Sequence, residues 1–282
     1  MIGAIVSLSA MAVAGRAVAP VLDTFELMTW RSLIGLAIVL AVGGAMGRLG
    51  GIRSDRLGTH LIRNLFHFAG QNLWFLSLTM IPLAQVFALE FTSPLWVILL
   101  APLVLGERIT RTRAASAAVG FAGILIVARP DLGNLDPGVL AAAASAIGFA
   151  GSTVFTKRLT RHEGIISILF WLTAMQTVFG ILASAADGDV TLPTLAIAPW
   201  LGLLGVAGVV AHLCLTKALT LAPAMVVVPM DFARLPAIAV VGMLFYNEPL
   251  DPFVFLGAIV ILAANWLNIR SANRSAADIS GP

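Results

Sequence analysis

Basic side chains fall in every second gap between ten apolar stretches, and this alternation constrains the fold more than any other feature of the chain. Each stretch is about the ~20 residues that a helix needs to cross ~30 Å of hydrocarbon at a rise of about 1.5 Å per residue. We number them as spans 1 to 10 in chain order. The spans comprise residues 2 to 20, 25 to 46, 58 to 80, 83 to 105, 112 to 129, 137 to 157, 164 to 186, 195 to 219, 224 to 246 and 251 to 269. The pattern predicts an all-α polytopic membrane protein with ten transmembrane helices.

The distribution of Lys and Arg predicts the orientation of these spans, because cytoplasmic loops retain basic residues. With the N-terminus in the cytoplasm, most of the 17 basic residues lie in cytoplasmic gaps, whereas the outer gaps hold only Arg129. The cytoplasmic set comprises Arg48, Arg53, Arg56, Arg63, Arg108, Arg111, Arg113, Lys157, Arg158, Arg161, Lys217, Arg270 and Arg274. We therefore predict a multi-pass protein of a bacterial-type inner (plasma) membrane with both termini in the cytoplasm.

Composition leaves little room for a soluble domain, since 59% of the residues are apolar and only 11% are charged. The basic residues form short clusters beside the membrane, where they would contact anionic lipid head groups. We therefore expect lipid and a small-molecule substrate as partners, and no nucleic acid. The one cysteine, Cys214, excludes a disulfide and a multi-cysteine metal site. No Lys or Arg precedes the first apolar run, so we interpret residues 1 to 19 as a retained helix and not as a signal peptide.

The chain resembles itself at a shift of about 141 residues. Ile81-Pro82-Leu83-Ala84 matches Ala222-Pro223-Ala224-Met225, and Gly106-Glu107 after span 4 matches Asn247-Glu248 after span 9. Each half holds five spans, and an odd number makes the second half enter the membrane from the opposite side. Inverted repeats around a midplane site are typical of transporters. The pattern predicts a first repeat over residues 1–130, a second over 136–270 and a cytoplasmic tail over 271–282.

On these features the chain resembles the drug/metabolite transporter superfamily in its EamA-type ten-helix form. The resemblance rests on Phe25 to Arg31, on the closing motifs Gly106-Glu107-Arg108 and Asn247-Glu248-Pro249, and on residues 120 to 124 in span 5. The second half departs from the family pattern at Asn247, where Gly is usual. The resemblance implies two inverted five-helix repeats around a central cavity that moves small metabolites, amino acids or drugs.

Charged residues within the spans are the first candidates for a site, because intramembrane charges are costly and are usually functional. Asp231 and Arg234 lie three residues apart in span 9, on neighbouring positions of one helix face. They form either a structural ion pair or a ligand site. Glu90 in span 4 is a candidate for proton coupling, with a packing role as the alternative. Arg16 and Arg31 suggest a salt-bridge cluster with Asp23 and Glu26 at the outer edge.

Polar and aromatic side chains at helical spacing form stripes on spans 3, 4, 6 and 8. Each stripe either lines a cavity or joins neighbouring helices through hydrogen bonds. The predicted substrate-binding set comprises His67, Gln71, Trp74, Gln85, Thr92, Trp96, Phe149, Ser152 and His212, together with Asp231 and Arg234. A single His such as His212 is more often a hydrogen-bonded core residue than a metal ligand, and we predict no metal or other cofactor.

Glu107 and Glu248 close spans 4 and 9 at helix C-terminal ends, where the helix dipole disfavours negative charge. We predict that both are structural, compensated by basic groups or backbone amides, as are Pro82 and Pro223 at the start of these spans.

The sequence favours a secondary transporter that exports small metabolites by alternating access. No phosphate-binding Gly-x-x-x-x-Gly-Lys-Ser/Thr motif is present, so the energy must come from gradients or exchange. The family resemblance points to amino acids, and the aromatic residues favour large neutral ones. The alternatives are an intramembrane enzyme that uses His67 or His212 with Asp231 on lipid-linked substrates, and a lipid flippase. We predict that the protein is not an enzyme, because the motifs of such enzymes are absent.

Overall fold

The computed structural model describes residues 1–53, 55–107, 109–129, 136–188, 191–249, 251–260, 263–264 and 266. This part of the chain is helical and contains no β-strand. The principal helices are α1 (Ile2–Val18), α2 (Thr24–Ala45), α3 (Leu57–Met80), α4 (Leu83–Glu90), α5 (Ser93–Leu105), α6 (Arg111–Ala128), α7 (Pro137–Leu159), α8 (Ile165–Asp187), α9 (Ala198–Leu221), α10 (Ala224–Val227), α11 (Arg234–Tyr246) and α12, described over residues 252–260.

Six helical segments of the described part are long and apolar enough to cross a membrane: Thr24–Ala45, Leu83–Leu105, Pro137–Leu159, Ile165–Ala186, Ala198–Leu221 and Ala224–Tyr246. Large apolar side chains face outward on many helices, with Leu103 83% exposed. Polar side chains face inward, as the buried His60, Arg63 and Gln71 of α3 illustrate. This inside-out polarity fits lipid as the solvent. The all-α membrane class is therefore confirmed, whereas the exact count of ten spans stays a prediction.

Two predicted spans are interrupted in their middle. Span 4 divides into α4 and α5 at Phe91 and Thr92, just before Pro94. Span 9 divides into α10 and α11 around a 3-10 helix over Val228–Ala233. Proline lacks a backbone N–H and disfavours helical geometry in the residue before it, so breaks at these places are expected.

Helix ends follow the local sequence. Asp23 and Glu26 form a reciprocal capping box at the start of α2. After α5 the chain turns in the left-handed region at Gly106, with φ of 70°. Asn247 takes the same conformation after α11, with φ of 53°. Asn is the residue that most often replaces Gly there, so this departure from the family pattern preserves the backbone turn.

Three helix pairs form the main contacts of the bundle: α3 with α7, α1 with α9, and α2 with α8. The α3–α7 contact is a direct approach of two backbones. A Cβ atom added at Gly148 would lie 2.6 Å from the Cα atom of Gly70 and 2.7 Å from the carbonyl oxygen of Phe66. Small residues at both positions allow this approach.

The predicted outer-edge cluster of Arg16, Arg31, Asp23 and Glu26 does not form. Glu26 accepts hydrogen bonds from the backbone N–H groups of Asp23 and Thr191. Arg31 is buried, and the ion pairs recorded for the described residues do not include it. Arg16 instead pairs with Glu248, 232 residues away. Nearness in sequence suggested the wrong partners, because packing brings α1 against the end of α11.

Candidate functional site

A cavity lies inside the bundle, between α1, α3, α5, α7, α9 and the interrupted stretch around Asp231. At one end it is bounded by Trp74, Glu90 and Arg234. From there it extends past His67 and His212 to Met1 and Thr156. Its walls thus combine charged, amide, hydroxyl and aromatic side chains at positions that the sequence places within the membrane.

An ion cluster of three side chains occupies one end of the cavity. One terminal nitrogen of Arg234, Nη2, donates to Glu90 Oε1 at 2.6 Å and to Asp231 Oδ2 at 2.5 Å. The Nε1 atom of Trp74 donates to the other oxygen of Glu90 at 2.8 Å. The Arg234 guanidinium carbon lies 4.5 Å from the centre of the Phe87 ring, which adds a cation–π contact. Two carboxylates therefore share one cation, and the cluster carries net negative charge when all three groups are ionised.

The two helix breaks place this cluster. Glu90 ends α4 and Asp231 lies in the 3-10 stretch, so each carboxylate stands where a predicted span is interrupted. Asp231 Oδ1 is buried without a hydrogen-bond partner in the structure. Interrupted helices at membrane depth are typical of ligand sites in transporters, because their free ends and exposed side chains can bind polar groups.

Aromatic rings line the middle of the cavity. The imidazoles of His67 and His212 meet edge to face with ring centres 4.7 Å apart. Phe149 lies beside His67 with ring centres 6.2 Å apart. Both histidines are buried, and the Nε2 atom of His67 has no hydrogen-bond partner in the structure. These rings can stack on an aromatic or apolar part of a ligand.

Arg63 lies at the other end of the cavity and is 1% exposed. Its recorded hydrogen bonds go to neutral oxygens, from Nε to Thr156 Oγ1 at 3.0 Å and from Nη1 to Asn64 Oδ1 at 3.3 Å. The Asn64 amide is held in turn by Gln176 of α8. Arg63 is thus positioned firmly, without a carboxylate among its recorded partners.

One end of the bundle is closed by a contact that we call the Arg16 latch. Arg16 donates to Glu248 Oε1 at 2.5 Å and to the carbonyl oxygens of Leu78 and Ile81 at 2.7 Å each. Glu248 also accepts from the backbone N–H of Leu83 at 3.0 Å. The latch joins α1, the end of α3, the start of α4 and the end of α11. On α3 it lies C-terminal to Trp74. We refer to this end as the Arg16 face.

The opposite end carries a partial counterpart, which we call the Lys157 contact. Lys157 donates to the carbonyl oxygens of Leu219 and Ala222 at 2.6 and 2.8 Å. Glu107 follows the neighbouring α5, but the ion pairs of the described residues include none between Lys157 and Glu107. Glu107 Oε2 has no hydrogen-bond partner in the structure. The Lys157 face therefore lacks the ion pair that closes the Arg16 face.

Most residues of the predicted binding set come together in the cavity, and three do not. The cavity is lined by His67, Gln71, Trp74, Phe149, Ser152, His212, Asp231 and Arg234, and by Glu90, the predicted coupling residue. Gln85 lines a separate pocket near Glu248. The hydroxyl of Thr92 donates to the carbonyl of Leu89, and Trp96 is 37% exposed. The break between α4 and α5 changes the helical phase, so Gln85, Thr92 and Trp96 do not share the predicted inner face.

The predicted structural residues lie at helix ends, as expected from the sequence. Pro82 and Pro223 directly precede α4 and α10, and Glu107 and Glu248 follow α5 and α11. The sequence did not identify Arg63 as a cavity residue. It also did not identify Arg16 and Lys157 as the residues that join helices at the two ends of the bundle. The signal for Arg63 was its position four residues before His67 on the same stripe, but it was assigned to the basic loop cluster.

A polar and aromatic cavity enclosed by membrane-length helices defines a multi-pass membrane protein of the transporter class. A family model described as the EamA-like transporter family matches residues 1–129 and again 136–270. The chain belongs to the EamA-like transporter family.

Curated relatives of the chain include riboflavin transporters and S-adenosylmethionine uptake transporters. It is 34% identical over 227 residues to a riboflavin transporter of Rhizobium johnstonii, covering 80% of this chain and 74% of that protein. It is 28% identical over 271 residues to an S-adenosylmethionine uptake transporter of Rickettsia bellii, covering 96% of this chain and 92% of that protein. A solved crystal structure with 20% identity superposes with a TM-score of 0.77 over 97% of this chain and 96% of the other, which supports the fold.

Proposed function

We propose that this protein is a secondary transporter that moves small organic metabolites across a bacterial inner membrane by alternating access. The observation that carries the proposal is a charged and aromatic cavity that is latched at the Arg16 face and extends toward the Lys157 face. A site with a formed ion pair at one end of the bundle and an unformed equivalent pair at the other is expected of one state of an alternating-access cycle.

The proposal includes two inverted halves related by a shift of 141 residues, and the contacts at the two faces support it. The shift carries Arg16 to Lys157, Leu78 to Leu219 and Ile81 to Ala222. Arg16 donates to the carbonyl oxygens of Leu78 and Ile81. Lys157 donates to the carbonyl oxygens of the equivalent residues, Leu219 and Ala222. Equivalent side chains thus hold equivalent backbone atoms at opposite ends of the bundle.

The carboxylates follow the same shift. Glu107 corresponds to Glu248, and Glu90 corresponds to Asp231. The same correspondence relates α1, α2 and α3 to α7, α8 and α9. It therefore relates the α3–α7 contact to the α1–α9 contact and the α2–α8 contact to itself. Within the described residues the two ends differ in the ion pair, which is present for Arg16 with Glu248 and absent for Lys157 with Glu107. We propose that the second pair forms when the first opens, which moves access from one face to the other.

For the substrate, we propose a metabolite that combines an aromatic ring with polar groups. The rings of His67, His212 and Phe149 support a stacking surface, and the ion cluster supports polar recognition. Large neutral amino acids were the prediction from sequence, and relatives are named for riboflavin and S-adenosylmethionine. The sequence predicted export as the direction of transport, whereas the relatives named for S-adenosylmethionine are uptake transporters. Because the flux of a carrier without ATP follows gradients, direction is part of the test.

Transport by purified protein in liposomes tests the proposal. Labelled riboflavin, S-adenosylmethionine and aromatic amino acids are supplied on either side, and protein-free liposomes are the control. We expect saturable flux of at least one compound in both directions, with the compound recovered unchanged. Recovery of a chemical product would favour the enzyme alternative, and movement of lipid without metabolite flux would favour the flippase.

A further inference from the structure

We propose that Arg63 binds an anionic group of the transported metabolite, while the ion cluster at the other end of the cavity binds a cationic or hydrogen-donating group. This inference rests on the proposed transport function and specifies the substrate class as an elongated molecule with an anion at one end.

The first step concerns the compensation of Arg63. A buried charge is stabilised only by an opposite charge or by several hydrogen bonds. The two carboxylates that line the cavity, Glu90 and Asp231, both bind Arg234. The recorded partners of Arg63 are the neutral oxygens of Thr156 and Asn64. An anionic ligand group would supply the missing charge, and guanidinium groups bind carboxylate and phosphate well.

The second step concerns the opposite end. Two carboxylates with one guanidinium leave an excess of negative charge, and Asp231 Oδ1 is an unused buried acceptor. A cation or an N–H donor of the ligand would satisfy this oxygen. Arg234 binds both carboxylates through Nη2, and although its Nε and Nη1 atoms have no hydrogen-bond partner, its charge is already compensated. Arg63 has only neutral oxygens among its recorded partners, which makes it the better partner for a ligand anion.

The third step concerns distance. Arg63 and Trp74 are both on α3, and eleven residues at a rise of 1.5 Å separate them by roughly 16 Å along the helix axis. An α-amino acid carries its ammonium and carboxylate on one carbon atom, so a free amino acid cannot reach both ends. A longer molecule, with its anion, ring and donor groups along one axis, can contact Arg63, the His67–His212 rings and the cluster together.

Two matched pairs of compounds isolate the anionic group. S-Adenosylmethionine and its decarboxylated form differ only in a carboxylate, and riboflavin 5′-phosphate and riboflavin differ only in a phosphate. Affinities are measured by competition in liposome flux and by binding to the purified protein. We expect wild type to prefer the anionic member of at least one pair by roughly tenfold or more, the scale of a charge-assisted hydrogen bond.

In Arg63→Gln the ratio of the affinities for the anionic and the neutral member of a pair should fall close to one. Arg63→Lys should retain part of the preference. Asp231→Asn is the comparison within the cavity, since it should weaken both members of a pair equally and leave their ratio unchanged. Lys217→Gln, at an exposed basic residue of α9, should change neither quantity. The ratio separates recognition from folding, because a loss of folded protein lowers both measurements together.

The pair that loses its preference in Arg63→Gln identifies the anion as carboxylate or phosphate. Equal affinity for both members in wild type, or a preference that persists in Arg63→Gln, would overturn the assignment while leaving transport intact. Absence of flux for every compound in wild type would instead reject the proposed function, and this inference with it.

Discussion

At the scale of single residues, Arg234 connects both interrupted helices. It is 0% exposed and binds Glu90 at the end of α4 as well as Asp231 of the 3-10 stretch. If Asp231 and Arg234 formed a structural ion pair without other partners, removing both charges should be milder than removing one. Glu90 changes this expectation, because loss of Asp231 and Arg234 together leaves Glu90 without a cation.

We therefore predict an unequal effect of single neutralisations in the ion cluster. Arg234→Gln leaves two unpaired buried carboxylates and should cost roughly 3 to 5 kcal/mol of stability. Glu90→Gln leaves one complete ion pair and should cost clearly less. Thermal unfolding in detergent measures both variants, with Lys217→Gln as a surface control. Similar losses for Arg234→Gln and Glu90→Gln would contradict the shared-cation arrangement.

At the scale of helices, the backbone approach of α3 and α7 is the contact on which the cavity wall depends. Gly148 faces Gly70 and the Phe66 carbonyl, and neither partner is a flexible side chain that can move aside. The contact also sets the spacing between His67, which follows Phe66 on α3, and Phe149, which follows Gly148 on α7.

We predict that Gly148→Ala destabilises the protein and reduces flux, because the new methyl group overlaps backbone atoms of α3. Overpacking of a close contact typically costs about 1 to 3 kcal/mol. Gly202→Ala is the matched control, since a Cβ atom there meets nothing within 4 Å. Unfolding temperature and flux are measured for both variants. A Gly148→Ala protein as stable as Gly202→Ala would show that the two helices are farther apart than described.

At the scale of the whole molecule, the Arg16 latch and the Lys157 contact predict unequal effects of two equivalent substitutions on access to the cavity. A single cysteine at Ser152, in a Cys214→Ala background, reports labelling of the cavity from either side of the membrane. Glu248→Gln removes the Arg16 ion pair and should raise labelling from the Arg16 face severalfold. Glu107→Gln should not do so, because its carboxylate makes no ion pair with Lys157 in this state. Equal labelling patterns for the two variants would argue against the alternating-latch proposal.

The orientation of the whole molecule gives a further prediction, with the Arg16 face outside and the loop between α2 and α3 inside. Single cysteines at Gly51 and Leu192, both in the Cys214→Ala background, test it with an impermeant reagent on intact cells. We expect labelling at position 192 before lysis and at position 51 only after lysis. The reverse result would invert the assignment of both faces.

The membrane class, the positions of most helices, the family and the residue types in the cavity could be predicted from the sequence alone. Apolar length and helical spacing are local properties, and His67, Gln71 and Trp74 follow from them directly. The shift of 141 residues was also visible in the sequence, and it placed Glu107 and Glu248 in equivalent positions before any contact was known.

The pairing of charges and the side chains that reach the cavity depend on contacts between distant helices. Arg16 finds Glu248 across 232 residues, and Glu90 finds Arg234 across 144. Gln85, Thr92 and Trp96 do not line the cavity, whereas Arg63 joins it from a stretch assigned to a basic loop. These outcomes depend on packing between distant helices, because in a low-dielectric interior each buried charge must be satisfied by whichever partner the bundle brings within hydrogen-bonding distance.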